Sequence, residues 1–409
     1  MDGALRDCYT APVRKALFAA ALVLSASAAS GQIDDTKRLL LEGGYEDGLA
    51  NPGPNSAYLY LYLNRPDFVG KGSALRLALA PVYADAELGL PEVLPRTDLG
   101  LGLSGGGYAF SRKEVVRGDQ RFGESFIGHG VGPSLALYPK LGDIGPVPVG
   151  GVARISALYT DYQATADTDK NFVIPPDEWT GFARVGLRAG GQEPGLGRRP
   201  ALEVSAWYEA RVRDKPGPYG YNNDRFINRN VNLYWMRALI VLPPESGVRM
   251  SGGLDFGGGD RLRRLSAYRL GGMLTQSAEF PLILPGYFNQ EIAARKYGHA
   301  WIRAGIPLPN SERFVVNLLA AGASVAPISG TDPGGSLHAG MSAGLEFSPR
   351  QGALHGELSY GYSPTALRGN RRGGHSIALT AEIDFMTPDV ATRKGTKIRQ
   401  EGLGWLLGH

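Results

Sequence analysis

The side chains of this sequence that could do chemistry are few and widely spaced. Six histidines occur among 409 residues, and His338, His355 and His375 fall near the starts or on the polar faces of strand-like segments. Imidazoles on neighbouring strands could bind zinc or copper, but the close spacing of a metal motif is missing, so we interpret them as solvated residues. Ser376 follows His375 directly, so in a strand the two side chains would point to opposite faces. We therefore predict no catalytic residue, no metal and no cofactor.

Charged residues at alternate positions form the second candidate site. They share the polar faces of their strand-like segments and are Arg154, Arg184, Arg188, Glu203, Glu209, Arg211, Arg249, Asp255, Arg303, Glu346, Glu357, Glu382 and Asp384. Arginines dominate the earlier segments and acids the later ones, as two complementary walls would. The pattern predicts an ion-pair network across an enclosed space that stiffens the structure. The alternative is a charged path that selects solutes.

The segment 376–385 shows which element would position these charges. Ile377 and Leu379 lie on one face of a strand and Thr380 and Glu382 on the other, because side chains alternate with period two. About 14 segments repeat this pattern between turn signals. They are 57–64, 74–83, 97–111, 124–139, 147–160, 178–190, 200–213, 229–242, 247–256, 298–308, 313–326, 335–349, 353–363 and 374–386.

The first 31 residues indicate export. Arg14 and Lys15 precede an apolar run, 16–24, which is too short to span a bilayer, and small residues suited to signal peptidase follow it. Residues 1–31 are therefore predicted to be a secretory signal peptide. Cys8 is the only cysteine, so the processed chain would contain neither disulfides nor thiolate metal sites.

An exported chain with repeated apolar–polar alternation predicts an all-β fold. We expect a transmembrane antiparallel β-barrel of about 14 strands, with 12 to 16 allowed, in the bacterial outer membrane. The expected domains are a short N-terminal extension at 32–56 with a helix or plug near 36–41, a barrel at 57–386, and a basic tail at 387–409. The net charge is only +4, and no basic stripe with interleaved aromatics occurs, which excludes a nucleic-acid binder.

The connections between segments support a barrel. Those after odd-numbered segments are long and polar (161–177, 214–228 and 257–297), whereas those after even-numbered segments are short, with 84–96 as the exception. Outer-membrane barrels have short periplasmic turns and long extracellular loops. Four tryptophans are expected to form interfacial girdles with the tyrosines, and they are Trp179, Trp207, Trp235 and Trp301.

The connection 257–297 carries a motif. It contains a glycine pair and, further on, a Leu-Pro-Gly-Tyr sequence, and its notable residues are Gly271, Gly272, Leu284, Pro285, Gly286 and Tyr287. Here the chain resembles the bacterial surface-antigen superfamily, the outer-membrane barrels that include BamA and TamA. The resemblance covers about the last 150 residues. In that family a loop of this kind precedes the last five strands and folds back into the lumen, where its arginine pairs with an aspartate on the second strand after it.

Two departures from the family limit what the resemblance implies. This chain has Pro285 where the family has arginine, and Leu319, Ala320 and Ala321 before Gly322 where the family has aspartate. Joint loss of both charges is consistent, because one buried charge without its partner is costly. About 25 residues precede the first predicted strand, too few for a periplasmic POTRA repeat, so the chain resembles the POTRA-less branch.

The resemblance implies a barrel that acts in envelope biogenesis or in translocation across the outer membrane, with residues 257–297 folded into the lumen. A passive diffusion porin and a structural or adhesive surface barrel are the alternatives. We expect no enzymatic activity. The expected partners are outer-membrane lipids, lipopolysaccharide and a periplasmic protein or lipoprotein.

Overall fold

The fold consists of β-strands joined by turns and loops. The computed structural model describes residues 37–386 except 50–52, 108–111, 146, 192–200, 243–246, 276–279, 310, 312 and 349–352. No helix is present in this described part. It therefore contains no helical segment long and apolar enough to cross a bilayer. The strands are β1 (Arg38–Gly48), β2 (Ser56–Pro66), β3 (Ala74–Leu79), β4 (Tyr83–Leu94), β5 (Thr97–Gly106), β6 (Arg112–Val116), β7 (Asp119–Ile144), β8 (Val147–Ala164), β9 (Phe172–Val173), β10 (Glu178–Gly190), β11 (Ala201–Arg213), β12 (Gly217–Tyr221), β13 (Arg225–Ile227), β14 (Asn230–Leu242), β15 (Arg249–Asp260), β16 (Tyr268–Leu270), β17 (Ile292–Pro307), β18 (Phe314–Pro327), β19 (Leu337–Phe347), β20 (Leu354–Arg368) and β21 (Arg371–Asp384).

Sixteen of these strands form one closed antiparallel barrel. Around the wall they follow chain order: β1, β2, β3, β4, β5, β7, β8, β10, β11, β14, β15, β17, β18, β19, β20 and β21. The last strand returns to the first, because Ser376–Asp384 of β21 pairs with Leu40–Gly48 of β1. The five short strands β6, β9, β12, β13 and β16 belong to connections between the others.

The barrel has 16 strands, two more than the predicted 14 and at the upper limit of the predicted range, and the two missed strands are β1 and β4. β1 lies in the segment that the sequence analysis assigned to an N-terminal extension. Three consecutive leucines break the apolar–polar alternation there, because Leu40 is an apolar residue buried at a position where the alternation calls for a polar one. β4 lies in the predicted connection 84–96, where Pro91 sits at an irregularity in the pairing with β5. With β4 recognised, the predicted connection 84–96 becomes part of the wall, and the connections on either side of β4 are both short.

The two faces of the wall differ as the alternation predicts. Large apolar side chains of one parity are exposed, as Val185 and Leu187 in β10 show. The side chains between them are polar and point to the enclosed side, as Arg184 does when it binds Glu209 of β11. Because a closed barrel has only one inner surface, the strand positions with exposed apolar side chains face outward, and the charged positions that alternate with them face inward. We call these two sets of positions the outward and the inward parity.

The two ends of the barrel also differ. The long connections 165–177, 214–229 and 261–291 leave from one end, which we call the long-loop end. Two of them form a small three-stranded sheet from β9, β12 and β13. At the opposite, short-turn end the connections are brief, such as Pro95–Arg96 between β4 and β5, and this is where β1 begins and β21 ends. The predicted signal peptide at 1–31 and the tail at 387–409 lie outside the described residues.

Removal of β1 tests whether the barrel needs 16 strands. Deletion of residues 38–48 would leave β2 and β21 each with an unpaired edge, which is costly in hydrocarbon. We expect the variant to lose the compact, heat-modifiable band that folded barrels give on unheated detergent gels. Deletion of the equally long piece 217–227, which lies in a connection, is the control and should retain that band. A heat-modifiable barrel without residues 38–48 would contradict the closure described above.

Candidate functional site

The connection 261–291 between β15 and β17 is a folded unit rather than an extended loop. Strand β16 within it pairs with Ile292–Ala294 at the start of β17. Two isolated bridges then join Leu270 to Leu282 and Gly272 to Leu284. The chain therefore leaves the wall, doubles back on itself and returns, which brings the two halves of the sequence motif together.

Three glycines of the motif are required by the backbone. Gly271, Gly272 and Gly286 have φ angles of 128°, 85° and 81°, a region that side chains with a Cβ adopt at a cost. A Cβ on Gly286 would lie 2.3 Å from the backbone nitrogen of Ser363, and one on Gly271 would lie 2.4 Å from the carbonyl oxygen of Phe288. The glycine signal in the sequence thus marks two turns that other residues cannot form without displacing backbone.

The Pro285–Gly286 turn lies directly on the wall, against three further glycines. A Cβ on Gly340 of β19 would be 2.2 Å from the Pro285 carbonyl oxygen, and one on Gly374 of β21 would be 2.2 Å from that of Gly286. A Cβ on Gly361 of β20 would be 2.9 Å from the Gly286 nitrogen. We call Gly340, Gly361 and Gly374 the glycine seat. Their missing side chains let the backbone of the connection touch the backbone of three strands.

Hydrogen bonds fix the turn on the glycine seat. The backbone N–H of Gly286 donates to Ser376 Oγ at 3.1 Å, and Arg368 Nη2 donates to the Gly286 carbonyl oxygen at 2.7 Å. Arg368 Nη1 also contacts the carboxylate of Glu291 at 3.0 Å, and its guanidinium lies 4.0 Å from the Phe288 ring centre. One arginine of β20 therefore holds three residues of the connection.

The Arg368–Glu291 pair is an ion pair that the sequence did not predict. Both side chains are buried, at 5% and 8% exposure. Burial raises the pKa of Glu291 above its ordinary value, although Arg368 and the Phe288 N–H oppose this shift. The family motif pairs a loop arginine with a wall aspartate, both of which this chain lacks, whereas here the acid belongs to the connection and the arginine to the wall. No sequence signal marked the pair, because Pro364 ends the alternation before Arg368.

The place where the family pairs an arginine with an aspartate is apolar in this chain. Leu284 and Tyr287 are fully buried in one cluster with Ala321 and Ala323 of β18. Tyr287 Oη also lies 2.9 Å from His338 Nδ1 and 2.9 Å from Thr365 Oγ1. The predicted motif residues therefore contact the wall through packing and hydrogen bonds instead of through a charge.

Two more strands hold the connection. Glu46 of β1 accepts the backbone N–H of Met273 at 3.0 Å. His299 of β17 lies 2.8 Å from the Ile283 carbonyl oxygen through Nε2 and 3.2 Å from Asp255 through Nδ1. His299 therefore has a structural partner on each side. In the described residues no group of histidines and acids is arranged to hold a metal ion.

Three of the four tryptophans are not in an interfacial girdle, so that prediction is wrong for them. Trp207, Trp235 and Trp301 fall on the inward parity of their strands, and only Trp179 is on the outer face, at 48% exposure. Trp207 and Trp235 stack with ring centres 6.0 Å apart, and Phe280 of the connection packs on both. These aromatic side chains face inward because the connection supplies an apolar partner there.

The predicted charges of the earlier strands pair locally. Each early arginine contacts an acid of the same or a nearby strand, not an acid of the later half. The pairs are Arg184–Glu209, Arg211–Glu209, Arg188–Glu203 and Arg154–Glu87, at 2.7, 2.6, 3.0 and 2.5 Å. Glu87 was missed because β4 was read as a loop. Local pairing keeps each charge compensated without a bridge across the barrel.

The later charges pair across three strands, as Arg154 of β8 and Glu87 of β4 also do. Arg249 of β15 contacts Glu346 of β19 at 3.3 Å, and Arg303 of β17 contacts Glu357 of β20. Asparagine 317 lies between these pairs and donates to both Glu346 and Glu357. Each of these two ion pairs joins strands that are three positions apart in the wall, along one side of the inner surface.

The two last predicted acids lie at the seam where the barrel closes. Glu382 of β21 stands opposite Glu42 of β1 and opposite His355 of β20. Asp384 stands opposite Leu40 of β1. The seam therefore carries carboxylates on both of its strands, next to a histidine and the Tyr60 hydroxyl that binds Glu42 at 2.6 Å.

A cavity of about 290 Å³ lies beside the connection. Its lining combines arginines with aromatic rings, among them Arg112, Arg211, Arg269, Tyr268 and Phe280. Burial, helped by the neighbouring Arg269, lowers the pKa of Arg112 to about 10, so this side chain is still charged at neutral pH. Acids beside the cavity bind three of its four arginines, which are Arg184, Arg211 and Arg269.

A second charged cluster joins the connection to the hairpin of β6 and β7 at the long-loop end. Burial of Glu114 would raise its pKa, but four arginines around it together lower the pKa below its usual value, and they are Arg269, Arg264, Arg225 and Arg112. Arg269 is the nearest, at 3.4 Å. Glu114 is therefore ionised at neutral pH and holds residues 264–269 against β6.

Substitution of Arg368 tests the anchor of the connection. Loss of one partner of a buried ion pair typically costs about 3–5 kcal/mol, so R368Q should expose the amides of residues 284–291 to exchange at least about a hundredfold faster. E291Q and the double variant complete a cycle that isolates the pair. R117Q is the control, because Arg117 and Asp332 form an exposed pair that contributes little. Additive effects of R368Q and E291Q would contradict a coupled pair.

The lowered pKa of Glu114 gives a pH dependence. An acid whose pKa is lower in the folded state stabilises that state above its unfolded pKa, here 4.5. Its contribution is lost as the pH falls through the folded pKa. We expect protection of amides 264–269 to fall between pH 6 and pH 3 after correction for intrinsic exchange. E114Q should be less protected at pH 6 and nearly insensitive to pH, and equal pH responses of the two proteins would refute the assignment.

Comparison with known proteins supports the fold. No protein-family model matches the chain, and no curated protein matches its sequence. Among solved structures, CdiB from Acinetobacter baumannii and CdiB from Escherichia coli each align with a TM-score of 0.57, at 10% and 13% identity. The alignments cover 86% and 84% of this chain but 60% and 63% of the CdiB chains.

A third solved structure gives the same result. BamA from Haemophilus ducreyi lacking POTRA domains 1–3 aligns with a TM-score of 0.52 at 10% identity, over 86% of this chain and 71% of that one. Identities this low bear on the fold alone. The resemblance recognised in the sequence is confirmed at that level: the chain is a BamA-like β-barrel.

Proposed function

We propose that this protein is an outer-membrane barrel of translocation or envelope biogenesis whose lumen is closed by the connection 261–291. The fold shared with CdiB and BamA supports the class. The proposal includes no catalytic step and no cofactor. Its expected partners are membrane lipids, lipopolysaccharide and a periplasmic protein or lipoprotein. The partner protein is expected because a barrel that is closed at rest needs one to open it.

The main support is that the connection contacts opposite sides of the wall. Phe280 packs on Trp207 of β11 and Trp235 of β14, while Met273 binds Glu46 of β1. In a wall of 16 strands, β1 and β11 are eight strands apart, which places them across the barrel from each other. A segment that reaches both through their inward parity crosses the enclosed space.

The inward parity of the contacts is the second support. The glycine seat, Ser376, Glu46 and His299 alternate with outward residues of their strands, and none belongs to the exposed apolar parity. Contacts with a loop folded over the outside would use the other parity. A loop that merely covered the mouth would not reach the middle of β20 and β21.

A passive diffusion porin is the alternative that this arrangement disfavours, because solutes would have to pass the same space. A structural or adhesive barrel is the third possibility and would depend on the exposed loops instead. The three differ in ion flow: a plugged barrel conducts little until the plug moves, a porin conducts steadily, and an adhesive barrel is unaffected by changes at the plug.

Single-channel recording tests the plug. The intact protein should show small or gated conductance in planar bilayers, and deletion of residues 273–290 should give a large, steady conductance. R368Q should increase the frequency of openings, because it weakens the plug without shortening the chain. Deletion of residues 165–171 from another long connection is the control and should leave the conductance unchanged. A large, steady conductance of the intact protein would reject the plug and favour the porin.

A further inference from the structure

A cluster of cations surrounds an open cavity at the long-loop rim of the wall. The cavity has a volume of about 650 Å³ and lies where β14, β15 and β17 reach the long-loop end. Five cations line it against a single carboxylate, Asp260, and we call them the basic rim cluster: Arg229, Arg261, Arg263, Arg295 and Lys296. Their side chains are exposed. Like charges at this density repel one another, so the cluster favours a bound anion.

The cluster has no internal compensation in the part of the chain that the structure describes. None of its five side chains forms an ion pair there, whereas inward arginines such as Arg184, Arg188 and Arg303 bind acids. The backbone beneath it is nevertheless fixed. Asn228 Nδ2 donates to the Arg261 carbonyl oxygen at 2.6 Å, where Arg261 has a φ of 59°. The cations therefore project from an ordered rim.

The register of the three strands shows where the cluster lies in the membrane. Tyr234, Gly258 and Lys296 stand side by side on the outer parity. Below this row the outer face is continuously apolar and exposed, beginning with Met236 and Phe256 at 56% and 54%. The row of Lys296 is thus the upper limit of the surface that contacts hydrocarbon.

The height of the apolar surface agrees with this position. Ala304 of β17 stands beside Met250 of β15 and Leu242 of β14, next to the short turn between β14 and β15. The eight residues from Lys296 to Ala304 span about 27 Å along the strand. At the usual strand tilt this is roughly 21 Å, near the apolar band of about 25 Å in outer-membrane barrels. Tyr234 lies over Gly258, with its hydroxyl 2.7 Å from where a Cβ would be, so an amphipathic ring occupies the boundary next to Lys296.

We infer that the basic rim cluster binds the phosphate groups of lipopolysaccharide in the outer leaflet. The inference rests on the proposed membrane placement but not on the plug. Phosphates of a lipid whose acyl chains lie on Met236 and Phe256 would reach the level of Arg295 and Lys296. Guanidinium and ammonium groups are the usual protein ligands of phosphate. A soluble polyanion would not need the apolar surface directly below the cations.

The test is binding of lipid A by the purified full chain in mild detergent. Each cation near an anionic lipid surface contributes about fivefold, so R295Q/K296Q should weaken binding of bisphosphorylated lipid A about 30-fold. The control K170Q/R371Q also removes two exposed cations from the long-loop end and should change binding less than about threefold. Dephosphorylated lipid A should bind the intact protein about as weakly as bisphosphorylated lipid A binds R295Q/K296Q.

The inference would be overturned by unchanged binding by R295Q/K296Q, by equal binding of dephosphorylated lipid A, or by tighter binding of a DNA oligonucleotide than of lipid A. Displacement of lipid A by millimolar inorganic phosphate would show a free-anion site instead of a lipid site. Heat-modifiable migration of both variants excludes misfolding. Conductance measures the plug separately, so failure of one proposal is distinguishable from failure of the other.

Discussion

The pairing of backbone groups between strands is the constraint on which the rest of this structure depends. A strand that faces hydrocarbon has no water to satisfy an open edge, so the wall must return to its first strand. The ladder between Leu40–Gly48 and Ser376–Asp384 makes that closure. Closure separates an inner from an outer surface, and the alternation of side chains then assigns charges to one and apolar residues to the other.

The folded connection packs its backbone closely against the wall, and the wall makes room for it by omission of side chains. Gly340, Gly361 and Gly374 lie where a Cβ would strike Pro285 or Gly286. Close approach alone does not orient the segment, so Arg368 adds a directional anchor through Glu291 and the Gly286 carbonyl oxygen. The reversed polarity of this pair relative to the family motif is physically acceptable, because a buried ion pair depends on charge complementarity and geometry, and either partner can supply the cation.

The charges of the molecule follow their surroundings. Within the barrel, arginines such as Arg184 and Arg303 bind acids, since an uncompensated charge loses hydration there. At the long-loop rim, exposed cations such as Arg295 and Lys296 form no ion pair in the described residues, because water can solvate them. This contrast is why the rim, and not the inner surface, is the place to look for an anionic ligand.

The sequence by itself determined the alternation of faces, and with it the barrel class and most strands. The reason is that the alternation of side chains along one strand is the same however that strand pairs with its neighbours. It also marked Gly271, Gly272 and Gly286, since positive φ angles demand glycine. Only the tertiary structure decided the count of 16, the anchor of Glu291 on Arg368 and the inward direction of Trp207 and Trp235. β1 and β4 lack clean alternation because β1 buries Leu40 inward and β4 carries a proline. The contacts of the connection join residues far apart in the chain, and no local pattern encodes which distant strand will be across the barrel.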